Sequence, residues 1–356
     1  MALALSLGRR GQGNVWPNPA VGCVIVNAGR IIGRGWTQPG GRPHAETMAL
    51  AQAGDAAVDA TAYVTLEPCA HHGKTPPCAE ALVRAGITRV VVATGDNDAR
   101  VDGRGLSLLQ AAGITVETGL LAEEARADHA GFFTRNAEDR PSLTLKLASS
   151  FDGRIATRSG ESQWITDAPA RRLTHAMRAR HDAVMVGGGT ARKDDPSLNV
   201  RGLGIAHQPT RVVVSRRLDL PLMSKLARSA RDIPLILCHG PDADGPLKRT
   251  WADLGAILLP CALRENQIDP QDLMRQLAGH GLTRIFCEGG GALAASLISA
   301  DLVDRLVGFT AGLVIGAEGR PGIAATGLQH LSAAPRYELD ETRRVGPDVL
   351  HVWQRR

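Results

Sequence analysis

Apolar and polar positions run along this chain in short blocks whose period switches between strand-like and helix-like. A brief amphipathic helix opens the chain and a turn follows at Pro17-Asn18-Pro19. Residues 21–26 then form an apolar run of strand length. Asn27-Ala28-Gly29 turns this run into a second strand at 31–35. A Gly/Pro-rich loop at 39–43 leads to His44 and a helix over 45–53. Residues 62–66 read as a strand and 67–77 as a long polar loop. A helix beginning near Cys78 has its stop at Gly86. Strand, helix and strand follow at 89–93, 106–112 and 114–117. This alternation predicts an α/β layer with a mostly parallel sheet.

The pattern turns polar at Glu138-Asp139-Arg140 and breaks at Pro141, which places a domain boundary between 1–139 and 140–356. The second half opens with a strand at 143–148. Thr166 or Asp167, followed by Ala168-Pro169, starts a helix. Further strands are expected at 183–186, 211–215, 235–238, 256–259 and 284–287, and helices at 247–254, 270–278 and 293–299. The fold class is α/β in both halves.

A length of 356 residues gives each half enough chain for its own core, and 44% hydrophobic with 22% charged residues is globular usage. Aromatics are only 3%, so aliphatic side chains carry the packing. The net charge of +5 is spread along the chain, which suits an anionic small molecule as well as nucleic acid. Six dispersed cysteines do not read as a disulfide framework. The chain has no apolar run of membrane-spanning length, and its start is the reverse of a signal peptide, so a cytoplasmic enzyme is expected.

The sharpest chemistry lies in His44-Ala45-Glu46, Glu67-Pro68-Cys69 and Pro77-Cys78. One imidazole and two thiolates make a three-ligand zinc set, which leaves the fourth position open as catalytic sites do. Glu46, two residues from the histidine, is the acid–base group such a site needs. His44 and Cys78 both fall at expected helix N-termini, where the dipole favours a thiolate. Nucleobase deaminases pair His-x-Glu with Pro-Cys-x-x-Cys. Here eight residues separate the cysteines, and the insert Ala-His-His-Gly-Lys-Thr-Pro-Pro adds polar and basic groups. His71 and His72 are rival ligands, solvated loop residues or substrate contacts.

Pro17-Asn18-Pro19-Ala20-Val21-Gly22-Cys23, His44-Ala45-Glu46 and the run from Leu66 to Cys78 closely resemble the bifunctional deaminase/reductase family of riboflavin biosynthesis. In the second half, the run from Leu145 to Ala156, Gly160-Glu161-Ser162-Gln163-Trp164-Ile165-Thr166, Gly189-Thr190, Asp194-Asp195-Pro196 and Glu288-Gly289-Gly290 follow in the family's order. The resemblance implies a cytidine-deaminase-like αβα domain followed by a dihydrofolate-reductase-like α/β domain. It implies a zinc-dependent deaminase and an NADPH-dependent reductase acting on a phosphorylated aminopyrimidine. Carried over residue by residue, it makes His44, Cys69 and Cys78 the zinc ligands and Glu46 the proton shuttle. Asn18, His71 and Lys74 become contacts of the first substrate. Ala148, Trp164, Thr190, Asp194, Gly290 and Gly291 become contacts of NADPH. Lys146, Ser162, Arg178, Leu198, Arg201 and Glu288 become contacts of the second substrate. A homo-oligomer is expected, a dimer before a tetramer, with no nucleic-acid or membrane partner.

The second half also has a physical reading of its own. Gly289-Gly290-Gly291 follows an apolar strand and precedes a helix, a place where backbone N–H groups meet an anion. Gly187-Gly188-Gly189-Thr190 is a second such turn; neither has the dinucleotide-fingerprint spacing. Arg178 and Arg201 suit a phosphate, because guanidinium offers a planar donor fork. Lys146 interrupts an apolar strand, where an unpaired ammonium is costly. It either points into the site or joins a buried ion pair. Asp194-Asp195 lacks the further oxygen ligands a hard cation needs and reads as capping or cofactor contact. A nucleic-acid-editing deaminase would show the short cysteine spacing and stacking aromatics that this chain lacks. A zinc-stabilised scaffold would have no use for Glu46.

Overall fold

The computed structural model describes residues 1–72 and 76–356. Two compact units, Met1–Arg140 and Pro141–Arg356, divide the chain.

In the first unit a five-stranded sheet runs in the order Arg30–Trp36, Gly22–Asn27, Thr61–Val64, Arg89–Val92, Thr115–Thr118. The expected mostly parallel sheet is corrected here. The first two pairings are antiparallel and the last two parallel. The physical reason for the first of these is the two-residue turn at Ala28-Gly29, across which Asn27 pairs with Arg30 in a hairpin. Cys23, Ile25, Ala62, Val64, Val90 and Val92 fill the core, with Ala45, Ala49 and Ala53 from the helix Ala45–Ala53. Small residues set that helix close to the sheet. A Cβ on Gly35 would lie 2.0 Å from the Ala45 oxygen, and one on Gly33 2.2 Å from the Ala49 oxygen. Alternate glycines on one face of a strand therefore fix the height of the helix that begins after His44. The long helix Ala122–Glu138 was not expected from the sequence. Its mean hydropathy is low, and only Ala125, His129, Gly131 and Phe132 are buried.

The second unit holds a nine-stranded sheet. In order it runs Ile257–Pro260, Leu235–His239, Thr210–Val214, Ala183–Gly187, Arg284–Cys287, Ser142–Ser150, Arg305–Ala311, Asp348–Arg355, Tyr337–Val345. The first seven are parallel to one another and the last two join as antiparallel neighbours. The three C-terminal strands were not anticipated. Tyr337–Val345 is mostly exposed and charged and carries no apolar run. Asp167 caps the helix Ala168–Arg178 by accepting from the Ala168 N–H, with Pro169 in the first turn, as the sequence predicts. The central strands carry a fully buried aliphatic core that includes Val184, Val186, Val213, Leu235 and Leu237. No helix among the described residues is long and apolar enough to cross a membrane.

Candidate active sites

His44 is the N-cap of the helix Ala45–Ala53, and Cys78 is the first residue of the helix Cys78–Arg84. Cys69 lies at the mouth of the second helix, where its sulfur accepts the Cys78 N–H at 3.3 Å. His44 Nδ1 lies 3.3 Å from Cys78 Sγ and 3.7 Å from Cys69 Sγ. All three donor atoms fall within 4.8 Å of one another, and no fourth His, Cys, Asp or Glu joins them among the described residues. A tetrahedral zinc with Zn–S about 2.3 Å and Zn–N about 2.0 Å spaces its donors roughly 3.5–3.8 Å apart. The donor set and its spacing therefore fit zinc, with three protein ligands.

The electrostatics agree with this donor chemistry. The Cys78 thiol donates to Cys69, and that bond, helped by His44 and the helix N–H, pulls the Cys69 thiol down to about 4. Cys78, the donor of the pair, is pushed up correspondingly. Glu46 is 4% exposed in the first helical turn, and burial pushes its carboxyl up to about 7.

A cavity opens beside this cluster. Asn18, Arg42, His44, Glu46, Cys69 and His71 line it. His71 presents a buried Nδ1 with no partner. His72 turns away instead, its Nε2 3.1 Å from Glu80 Oε1 and its side chain 74% exposed. Lys74, expected to touch substrate, lies outside the described residues.

Sequence reasoning missed the opposite wall, formed by Asp96, Asp98, Arg100, Val101 and Phe132. Burial pushes the Asp96 carboxyl up to about 7. Arg100 pairs with Asp98, whose carboxyl it holds below the usual range. The signal was the polar run Asp96-Asn97-Asp98-Ala99-Arg100 directly after an apolar strand, where open α/β sheets place ligands. Glu67 anchors this wall. Its carboxylate accepts N–H bonds from Gly103 and Gly105 at 3.1 and 2.9 Å and longer ones from Asp96 and Leu106. One buried side chain thus ties the loop before Cys69 to the loop that carries Asp96.

In the second unit the candidate residues gather at the carboxyl ends of the central parallel strands. The two glycine turns touch. The Gly187 N–H donates to the Gly289 oxygen at 3.0 Å, and a Cβ on Gly290 would lie 2.9 Å from Thr190 Oγ1. A Cβ on Gly189 would meet nothing within 4 Å, so this turn has open space above it. Two helix N-termini, Gly188–Asp194 and Gly291–Ser299, begin at these turns. Such a cradle fits the phosphates of a dinucleotide. Ala148 lies on Ser142–Ser150, paired with Phe309. Lys193 Nζ donates to the Gly160 oxygen at 2.5 Å, which ties the loop bearing Ser162 and Trp164 to the helix ending at Asp194. Trp164 is 66% exposed with the Arg171 guanidinium 4.4 Å over its ring.

Glu288, Arg178 and Lys146 form one charged group. Arg178 Nη2 donates to Glu288 Oε2 at 3.0 Å while its Nε donates to Oε1. Burial alone would raise Glu288, but Arg178 and then Lys146 outweigh it and hold the carboxyl below its usual range. Burial pushes Lys146 down, against Glu288. The Arg178 fork is thus already filled by a carboxylate. Arg201 is exposed on the neighbouring segment. Leu198 is placed differently from a side-chain contact. Its side chain is 3% exposed and packs in the aliphatic core. Asp195 does the capping anticipated for the acidic pair, its Oδ1 accepting the Lys225 N–H at 2.8 Å.

These two sites define a protein that joins a zinc deaminase-type unit to an α/β unit with a nucleotide cradle. Residues 1–94 match the cytidine and deoxycytidylate deaminase zinc-binding region, and residues 141–351 match the RibD C-terminal domain. The chain belongs to the RibD family of riboflavin biosynthesis proteins. It is 41% identical to riboflavin biosynthesis protein RibD of Escherichia coli, over 99% of this chain and 98% of that one. The RibD structure of Acinetobacter baumannii superposes with a TM-score of 0.88 at 36% identity, covering 100% of this chain and 97% of that chain. A Thermotoga maritima structure described as a diaminohydroxyphosphoribosylaminopyrimidine deaminase/5-amino-6-(5-phosphoribosylamino)uracil reductase gives 0.87 at 33% identity, with coverage of 100% and 97%.

Proposed function

We propose that this chain is a bifunctional enzyme of riboflavin biosynthesis. Its residues 1–139 deaminate 2,5-diamino-6-(5-phosphoribosylamino)pyrimidin-4-one by hydrolysis, and its residues 140–356 reduce the ribosyl group of the product to ribityl with NADPH. The observation that carries this reading is the His44, Cys69 and Cys78 cluster with Glu46 buried beside it at an open cavity.

Zinc, when bound to His44, Cys69 and Cys78, lowers the pKa of a water toward neutrality. Glu46, buried beside the cluster, takes a proton from the attacking water and delivers it to the ring nitrogen, then carries a second proton, from the newly added hydroxyl, to the departing ammonia. Asn18 and His71 hold the pyrimidine from the side of the cavity they line, with Lys74 assigned to the same substrate by resemblance. Arg42 and Arg100 line the same cavity and are its guanidinium contacts for the phosphate, Arg100 from within its pair with Asp98.

In the second unit NADPH supplies the hydride. The chain's part is placement. Ala148, Trp164, Thr190, Asp194, Gly290 and Gly291 hold the cofactor. Lys146, Ser162, Arg178, Arg201, Glu288 and the main chain of Leu198 hold the substrate. Arg178 acts by fixing Glu288 as an acceptor for sugar hydroxyls, which leaves Arg201 for the phosphate. The free cysteines fit a reducing cytoplasm, and a homo-oligomer, dimeric first, is part of the reading.

The test supplies the diaminopyrimidinone to zinc-loaded protein. Ammonia release without NADPH, followed by NADPH oxidation once it is added, is the expected order. NADPH oxidation with no prior ammonia release would overturn it.

A further inference from the structure

The helix Ala168–Arg178 directs two side chains, one turn apart, onto a single carbonyl. Arg178 Nη1 donates to the Asn199 oxygen at 2.8 Å, and His175 Nδ1 lies 3.1 Å from the same oxygen. That His175 nitrogen is also 3.3 Å from the Arg201 main-chain N–H, which points at it. A neutral imidazole has one donor and one acceptor nitrogen. With its proton on Nδ1 the ring donates to Asn199. With the proton on Nε2, Nδ1 accepts from Arg201. Either tautomer ties the ring to segment 198–201.

That segment needs tying. It belongs to no helix or strand, and Leu198 holds a φ of +52°. A leucine in the left-handed region is held there by its surroundings. Gln208 grips Val200, two residues on, its Oε1 accepting the Val200 N–H at 2.7 Å and its Nε2 donating to the Val200 oxygen at 3.2 Å. His175 is therefore the ring between the strained residue and Arg201. Burial, then Arg178 and Arg201 beside it, push the ring's pKa down, which favours the neutral form in which Nδ1 can accept from Arg201; donation to Asn199 needs only the proton on Nδ1.

We propose that His175 is a positioning residue of the reductase, setting the course of the main chain that presents Arg201 to the anionic end of the substrate. This rests on the reading of Arg201 as a substrate contact. Through Asn199 and Arg178 the same helix also fixes Glu288, so one helix sets the spacing between the phosphate and hydroxyl contacts.

The test uses the full chain and the already deaminated substrate, following NADPH oxidation. His175→Leu should raise KM for the pyrimidine phosphate by about tenfold, the worth of one lost hydrogen bond, with kcat and KM for NADPH nearly unchanged. His175→Asn, whose amide both donates and accepts, should restore most of that loss. Arg201→Gln is measured in parallel and should raise the same KM. If Arg201→Gln raises it and His175→Leu does not, the positioning role is wrong. An equal loss in His175→Leu and His175→Asn, with both KM values and the melting temperature moving together, would mean the ring only packs and would equally overturn it. An unchanged KM in Arg201→Gln removes the Arg201 reading, and the role given to His175 with it.

Discussion

Arg178 and Glu288 meet fork to fork, guanidinium against carboxylate, with both side chains only 13% exposed. Glu288 follows the strand Arg284–Cys287 and Arg178 ends the helix Ala168–Arg178, so the pair locks two elements that bound the reductase site. Arg178 carries a third bond, to the Asn199 oxygen. A lysine keeps the charge but has neither the planar fork nor the reach to satisfy all three acceptors. Arg178→Lys should lower thermal stability by about 1–3 kcal/mol and cut reductase turnover strongly, with ammonia release retained. Calorimetry and the two assays on one preparation check this. Full reductase activity in the lysine variant would show that charge alone suffices.

Glu46 is the only carboxylate lining the deaminase cavity from the helix that follows His44. Glu46→Gln keeps the size and burial and removes the titratable carboxyl that accepts and returns a proton. Deamination should fall by about 10²–10⁴-fold, the worth of a positioned acid–base group. Zinc content and reduction of the deaminated substrate should persist. Metal analysis and the ammonia assay decide it, and deamination at the wild-type rate would assign proton transfer elsewhere.

The zinc ligands were legible because their chemistry is local. His44, Glu46, Cys69 and Cys78 each occupy a helix start or the loop before one, and sequence marks such places with Pro and Gly. The helices Ala45–Ala53 and Ala168–Arg178 were legible for the same reason. What escaped depends on partners far along the chain. Asp96 and Arg100 reach the cavity because Glu67 draws their loop in from 29 or more residues away, and no local pattern encodes that tie. In the first sheet the hairpin pairing was written in the turn after Asn27, but the antiparallel pairing of Gly22–Asn27 with Thr61–Val64 joins apolar runs that look alike in either direction. The exposed strand Tyr337–Val345 lacked an apolar face, since its partner Asp348–Arg355 supplies the buried side. Leu198 showed its motif but not its burial.

Gly105 tests the tie between the two walls of the deaminase cavity. It sits in the helix Arg104–Ala111, where alanine would ordinarily stabilise by about 0.5–1 kcal/mol. Here the added Cβ would lie 2.0 Å from the Pro68 oxygen, against main chain that leads directly into Cys69. Overpacking of this kind costs about 1–3 kcal/mol, so the clash outweighs the helix propensity. Gly105→Ala should therefore melt earlier and bind zinc more weakly, because relief of the clash displaces a ligand. Zinc titration with a chromophoric chelator reads the second effect. A variant that melts later with unchanged zinc affinity would show that this contact relaxes without reaching Cys69.

His181 gives the second unit a pH dependence of known sign. Its Nδ1 lies 2.7 Å from the Met177 oxygen and its Nε2 3.2 Å from Thr144 Oγ1, with the ring tilted on Phe286 at 5.0 Å. Burial, with Arg284, Arg305 and Arg180 beside it and the Met177 carbonyl opposing, pushes the imidazole from 6.5 down to about 3. Between those two values the unfolded chain binds a proton that the folded ring refuses. The stability at stake is fully present above pH 6.5 and is lost progressively as pH falls toward 3. At pH 5 the loss is on the order of 1–2 kcal/mol. Glutamine offers a donor and an acceptor without titrating, so His181→Gln should lose less stability than wild type between pH 7 and pH 5. Denaturant melts of both chains at the two pH values measure this. Parallel losses would place the acid sensitivity in another group of the unit.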